Sequence, residues 1–241
     1  MKVKHVLFFF ALAGILSSCG KSITTNAQLK TELDTLSYAI GADIANSIIN
    51  NAGVEEINYD AFMNGLIDIY EGKDLKMKEE DLKPFINKYI TKLRGEKAAK
   101  NLEEGRAFLE ENKKREGVIT TESGLQYEII TEGTGKNPGP TDIVVCNYRG
   151  TLIDGTEFDT SYGKEKPAEF ALNRVIPGWT EGMQLMKEGA KYKFYIPTEL
   201  AYGERVRPGG KIQANQALIF EVELIEVKPA PEPGKKITNI F

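Results

Sequence analysis

Residues 174–189 read RVIPGWTEGMQLMKEG. Pro177 pre-sets the first turn of a short helix running from Gly178 to Lys187, and Gly189 stops it. Trp179, the only tryptophan of the chain, stands in that first turn among turn-forming residues. So large an apolar side chain is rarely left on an exposed loop. The surroundings of this helix decide the fold. GLQYEIITEG, DIVVCNYRGTL and AEFAL precede it, and AKYKFYIP and ALIFEVELIEV follow. The period shifts there from helical toward two and all five read as strands, and Asp154-Gly155 is a hairpin turn signal. The C-terminal half is therefore an antiparallel sheet domain with one short helix.

Upstream of about Gly117 the period is helical. Leu36, Ile40, Ile44 and Ile48 share one face of a first helix, with Asp34 or Thr35 as its cap and Gly53 as its stop. Tyr59, Phe62, Leu66 and Ile69 share a face of a second, capped by Asn58 and ended by Gly72. A third starts near Lys78, with Leu82, Phe85, Ile86, Tyr89, Ile90 and Leu93 as its apolar seam. Beyond Gly95 this seam thins, and Glu96–Lys100, Glu110–Lys114 and Glu111–Arg115 stand at i,i+4 spacing, so a solvated helix is expected. Pro84, Gly95 and Gly105 are the candidate positions for a bend. Three helices with one seam bury little alone, which predicts pairing with a second copy. The whole is α+β, an all-helical N-terminal domain followed by a sheet domain.

The first residues bear on compartment. MKVKHVLFFFALAGILSSC has a basic start and an apolar run, Val6 to Leu16, too short to span a bilayer and of signal-peptide length. Leu16-Ser17-Ser18-Cys19-Gly20 resembles a bacterial lipobox, with Cys19 the lipid-modified first residue after cleavage; an ordinary secretory signal with a chance cysteine is the alternative. The expected segments are a signal peptide over 1–18, a tether over 19–33, a helical domain with its long connecting helix over 34–117, a sheet domain over 118–228 and a proline-rich disordered tail over 229–241. The expected location is the cell envelope, on a bacterial membrane (the outer one) and facing the periplasm.

Exclusions follow. The only histidine, His5, lies in the segment that would be removed, so Ser-His, Cys-His and His-metal chemistry have no basis in the mature chain. With Cys19 lipidated, Cys146 has no disulfide partner; it reads as a small buried hydrophobe. The net charge is −4, and removing two lysines makes the remainder more acidic. No basic cluster stands against that charge, and no nucleic-acid partner is expected. No cofactor or metal is expected.

Tyr148, Phe158, Phe170, Trp179, Tyr202 and Phe220 spread aromatic surface over separate segments of the sheet domain, with Val175 and Ile176 beside the tryptophan and Asp159 directly after Phe158. Residue types alone leave two readings open, ordinary core or ligand pocket, and Asp159 could equally be a turn cap. The order of the segments adds to this. NYRGTLIDGTEFDTSY, then F-x-L-x-x-VIPGWTEG, then IP-x-x-LAYGE, then ALIFEVELIEV resembles the FKBP-type peptidyl-prolyl isomerases over roughly residues 120–228. The helical half, with SYAIGADIANSIINNAGV, YDAFMNGLIDIYEGK and EEGRAFLEENKKREG, is similar to the dimerisation domain of that family's macrophage infectivity potentiator branch.

The resemblance implies a twisted antiparallel sheet of five or six strands curled over the short helix, with a pocket between them. It implies acceleration of X–Pro bond rotation, in proline-containing unfolded or partly folded exported proteins. By position it assigns Tyr148, Phe158, Asp159, Tyr202 and Phe220 to catalysis, and Phe170, Val175, Ile176, Trp179 and Ile212 to substrate binding. Trp179 would be the floor, Asp159 the polar residue at the rim, and the Ile176 N–H and Tyr202 hydroxyl would bond substrate carbonyls. A homodimer through 34–117 and a macrolide inhibitor site are implied as well. One stretch departs from the family form: in ERVRPGGKIQANQALIF, Ile212 is followed by Gln213 and Ala214 where the family commonly has two prolines. Without that stiffening the loop is expected to be more mobile. Two rival functions differ in class: a chaperone whose catalysis is incidental, and a structural or adhesive lipoprotein with a silent pocket.

Overall fold

The computed structural model describes residues 28–207 and 209–230. The signal segment with His5, Cys19, most of the tether and residues 231–241 of the tail lie outside the described residues. The chain divides into two compact units, Met1–Asp43 and Ile44–Phe241.

Helix α1 spans Glu32–Ser47 and passes into one π-helical turn, Ile48–Ala52, closed by Gly53 at φ 71°. Its cap lies a few residues earlier than the sequence suggested. The Asp34 N–H donates to Thr31 Oγ1 at 3.1 Å and the Thr31 N–H to Asp34 Oδ2 at 2.9 Å, a reciprocal box satisfying two otherwise orphan donors. Helix α2 spans Tyr59–Tyr70 and starts as expected, with Asn58 Oδ1 accepting from the Ala61 N–H. Neither helix buries a residue. Leu36, Ile40, Tyr59, Ile69 and Tyr70 are exposed.

Helix α3 runs through Pro84, Gly95 and Gly105 as one α-helix, Glu79–Asn112. Phe85, Ile86 and Tyr89 of its seam are exposed. Its far end corrects the expectation of a solvated helix, because Gly105, Leu109 and Asn112 are buried. A Cβ on Gly105 would stand 3.2 Å from the Ala217 side chain, so this glycine lets the helix approach the segment entering the last strand. Leu109 joins Tyr195 and Ala217 in a small apolar cluster. Asn112 donates to Gln126 Oε1 at 2.9 Å, and Gln126 Nε2 donates to the Leu109 carbonyl at 2.9 Å. The expected i,i+4 pairs are not those formed. Lys100 pairs with Glu104, and Lys113 and Lys114 pair at i,i+3 with Glu110 and Glu111. The helix ends at Asn112, so Arg115 no longer faces Glu111 and instead bonds Asn112, Tyr195 and Glu128.

The remainder is a seven-stranded sheet, one or two strands more than expected. Its strands are β1 Val118–Thr120, β2 Gln126–Thr131, β3 Ile143–Leu152, β4 Glu157–Thr160, β5 Ala168–Ala171, β6 Lys191–Ile196 and β7 Leu218–Lys228. The order is β1-β2-β6-β7-β3-β4, with β5 also on β3, and every pairing is antiparallel. The extra strands β1 and β4 are only three and four residues long. Helix α4, Pro177–Leu185, carries the expected proline at its start and packs on one sheet face. Gly178 and Gly182 let it come close: a Cβ there would stand 2.5 Å from Ile196 and 2.7 Å from Phe194. Between helix and sheet lie Val144, Cys146, Tyr148, Phe194, Ile196, Leu218, Phe220, Val222, Trp179 and Met183, all buried.

Candidate active site

Trp179 is the third residue of α4, after the extended Ile176 whose carbonyl accepts from the Trp179 and Thr180 N–H groups. That abrupt start aims the indole at the sheet. Tyr148, Phe170 and Phe220 surround it, with ring centroids at 5.4, 5.4 and 5.2 Å and planes at 79–88° to it. These edge-to-face contacts suit the ring quadrupoles and fix the indole by packing. Its Nε1 is buried and has no hydrogen-bond partner among the described residues.

Phe158 and Asp159 are neighbours on β4, and strict alternation would send them to opposite faces. A register shift prevents that. Gly150 pairs with Asp159 but Thr151 pairs with Glu157, leaving Phe158 as the extra residue, the two-against-one count of a bulge. The Phe158 ring then stands edge-on to Phe220 at 5.4 Å, while the Asp159 carboxylate accepts from the Tyr148 hydroxyl at 2.6 Å. Gly150 makes room: a Cβ there would lie 2.6 Å from the Phe158 ring and 2.9 Å from Phe220. Sequence reasoning passed over Gly150, though it stands inside the motif that carried the family likeness.

Burial first, and the Asp159 carboxylate second, push the Tyr148 phenol well above its ordinary pKa. It is a neutral donor throughout the physiological range. Tyr202 lies 46% exposed at the rim, its phenol raised by burial and by the charge of Asp159. Its hydroxyl, like the Ile176 N–H, donates to no protein acceptor among the described residues. Phe158, Phe170, Val175, Ile176 and Ile212 are partly buried against the same core. The fold thus brings eight of the ten assigned residues into one apolar cluster, with Asp159 tied to it through Tyr148 and Tyr202 at the edge.

The loop after Tyr202 lacks the two prolines and carries hydrogen bonds of its own and to α3. Asn101 Nδ2 on α3 donates to the Ala214 carbonyl at 2.9 Å, and Asn215 Nδ2 donates to the Ala98 carbonyl at 3.4 Å. Asn215 has φ 62°, a conformation asparagine tolerates better than most residues, and its N–H bonds the Gly203 carbonyl at 2.9 Å. Gln216 Oε1 accepts from the Gln213 N–H at 2.8 Å.

Among the described residues no group of three or more His, Cys, Asp or Glu is placed to hold a metal ion. No helix there is long and apolar enough to cross a membrane. Cys146 is fully buried, and burial pushes its thiol up to about 12, which makes it inert rather than nucleophilic.

The chain is similar to known proteins over most of its length. A family model described as FKBP-type peptidyl-prolyl cis-trans isomerase matches residues 134–225, and one described as the domain amino terminal to it matches residues 33–129. The outer membrane protein MIP of Legionella longbeachae is 42% identical over 237 residues, 95% of this chain and 100% of that protein. The FKBP-type isomerase FkpA of Escherichia coli K12 is 36% identical over 224 residues, 88% of this chain and 82% of that one. The crystal structure of FkpA from Escherichia coli superimposes with a TM-score of 0.66 at 37% identity, covering 85% of this chain and all of that one.

Proposed function

The chain belongs to the FKBP-type peptidyl-prolyl cis-trans isomerases, and on that footing we propose that its X–Pro substrates turn over Trp179, within the walls formed by Tyr148, Phe158, Phe170, Val175, Ile176, Ile212 and Phe220. Rotation about a peptide bond costs about 18–20 kcal/mol because resonance holds it planar. The uncatalysed X–Pro bond takes tens to hundreds of seconds. No covalent step is needed, only a site that binds the twisted amide better than the planar forms. Water favours the polar planar amide. A proline ring seated on the indole places the adjoining amide against apolar walls, where that solvation is withdrawn. The Ile176 N–H and the Tyr202 hydroxyl, both without protein acceptors among the described residues, hold the substrate's carbonyls. Asp159 holds the Tyr148 hydroxyl at the rim and lends the site a negative charge.

The observation that carries this reading is the convergence of four aromatic rings on one tryptophan-floored site with a carboxylate at its edge. The test is isomerisation of a proline-containing peptide by Phe158→Ala, Asp159→Ala and Tyr202→Phe. Each should turn over more slowly with the fold intact; undiminished rates in all three would overturn the assignment.

The clients are exported proteins in unfolded or partly folded form. The signal-like start and Cys19 favour a lipid-anchored protein on the outer membrane, facing the periplasm, and one relative is itself named an outer membrane protein. The uncovered apolar side chains of α1, α2 and the first half of α3 favour a homodimer through residues 34–117, with residues 118–228 as the isomerase domain. The same pocket would take a macrolide inhibitor.

A further inference from the structure

The loop that links Tyr202 to Ile212 and on to β7 meets the helical part of the chain at three points. Asn101 Nδ2 reaches the Ala214 carbonyl, Asn215 Nδ2 reaches the Ala98 carbonyl, and Gly209 lies against Asn51, close enough that a Cβ would stand 2.8 Å from its Oδ1. Just beyond the loop, Gly105 and Ala217 are in close approach. Asn215 is the knot of this arrangement. Its side chain holds α3, while its N–H holds the carbonyl of Gly203, the residue after Tyr202. One residue therefore ties the helix to both arms of the loop, the arm bearing Tyr202 and the arm bearing Ile212.

The helix is in turn fixed to the sheet. Asn112, Gln126 and Arg115 form a largely buried polar network with Tyr195 and Glu128, and removing one member of such a network strands its partners. The region around Ala98 and Asn101 is thus a firm support. Where a proline would stiffen the loop through its own backbone, this chain borrows stiffness from a neighbouring helix.

We propose that Asn101 and Asn215 are positioning residues for the isomerase site: they set the Tyr202–Ile212 rim, so that α3 of the helical domain is part of the substrate-binding apparatus. This rests on the pocket reading above. Loosening the rim weakens contacts made alike by bound substrate and twisted amide, so the loss falls on KM more than on kcat.

The test uses the protein with its helical domain intact and three variants. Asn101→Leu keeps the side-chain shape without the donor. Asn215→Gly permits the left-handed backbone and the bond to Gly203 and removes the link to Ala98, at the cost of a freer backbone at that one position. Asn101→Gln restores a donor. The first two should lower kcat/KM on a proline-containing peptide about threefold to tenfold, the worth of one hydrogen bond. The loss should come mainly through KM, with faster hydrogen exchange at the Asn215 amide and a thermal midpoint close to that of the parent. Asn101→Gln should recover part of the loss. Parental KM and parental exchange in both Asn101→Leu and Asn215→Gly would overturn the proposal. Asp159→Ala measured beside them separates the two claims: if it slows turnover while the asparagine variants do not, only the positioning role fails, and if none of the three matters, the pocket reading fails as well.

Discussion

The Tyr148 hydroxyl donates to the Asp159 carboxylate at 2.6 Å across the β3–β4 hairpin, and the tyrosine that does so is 95% buried. The bond joins the aromatic cluster to the exposed carboxylate of Asp159. It also fixes how that cluster stands, because Tyr148 touches Trp179, Phe170 and Phe220.

Removing either partner should expose this dependence. Asp159→Ala leaves the buried phenol without its acceptor, and a charge-assisted hydrogen bond of this kind is worth enough to slow turnover about tenfold. Tyr148→Phe should cost far less in the Asp159→Ala background than in the parent, since the two residues act as a unit. Peptide isomerisation rates of the four proteins complete the cycle; strictly additive losses would show that the bond does not serve the site.

Trp179 is a poorer probe of chemistry. It is 4% exposed and packed by three rings, so it is a core residue as well as the floor of the proposed pocket. Trp179→Ala should lower unfolding free energy by about 3 kcal/mol or more as well as abolish turnover. Urea unfolding beside the rate assay checks this. Loss of activity with parental stability would mean that the indole is not part of the core.

Alkali should weaken the fold for a stated reason. Burial holds the Cys146 thiol up to about 12 and raises Tyr148 and Tyr195 in the same direction. An acid whose folded pKa lies above its unfolded value stabilises fully below the unfolded value and loses that contribution as pH rises through the folded one. With an unfolded thiol near pKa 8.5, urea midpoints should be flat in this respect up to about pH 8 and fall beyond it. Under native conditions Cys146 should react with a thiol reagent only as fast as the protein opens. A labelling rate as high as that of a free, exposed thiol would contradict this.

The uncovered helices predict assembly. Leu36 and Ile40 are exposed on α1, and Phe85 and Tyr89 on α3. In solution the chain should have the mass of two copies, and Ile40→Glu with Phe85→Glu should halve it while leaving short-peptide turnover intact. A single-copy mass for the parent would remove the dimer from the account.

Much of this was legible in the sequence, for reasons that also mark where legibility stopped. The pocket residues lie in segments with a definite order, and α4 announces itself through Pro177 and Gly189. Asn58 opens its helix and Gly53 closes its own, as local rules require. The bulge at Phe158 is a pairing event with no local signal. The docking of α3 stayed hidden for a different reason. Gly105 looks like a weak point in a helix until Ala217 is beside it, and the partners of Asn101 and Asn112 lie 113 and 14 residues away. The bonds between that helix and the loop without prolines were hidden in the same way, because Ala98 and Asn101 lie more than a hundred residues before their partners.

The central claim, that a tryptophan-floored pocket edged by Asp159 and Tyr202 isomerises X–Pro bonds, meets its most direct test in a coupled isomerisation assay on the chain from residue 20 onward, run beside Phe158→Ala, Asp159→Ala and Tyr202→Phe. The account predicts acceleration by the parent and slower turnover by each variant, all three retaining the parental circular dichroism. Parental rates in all three folded variants would contradict it.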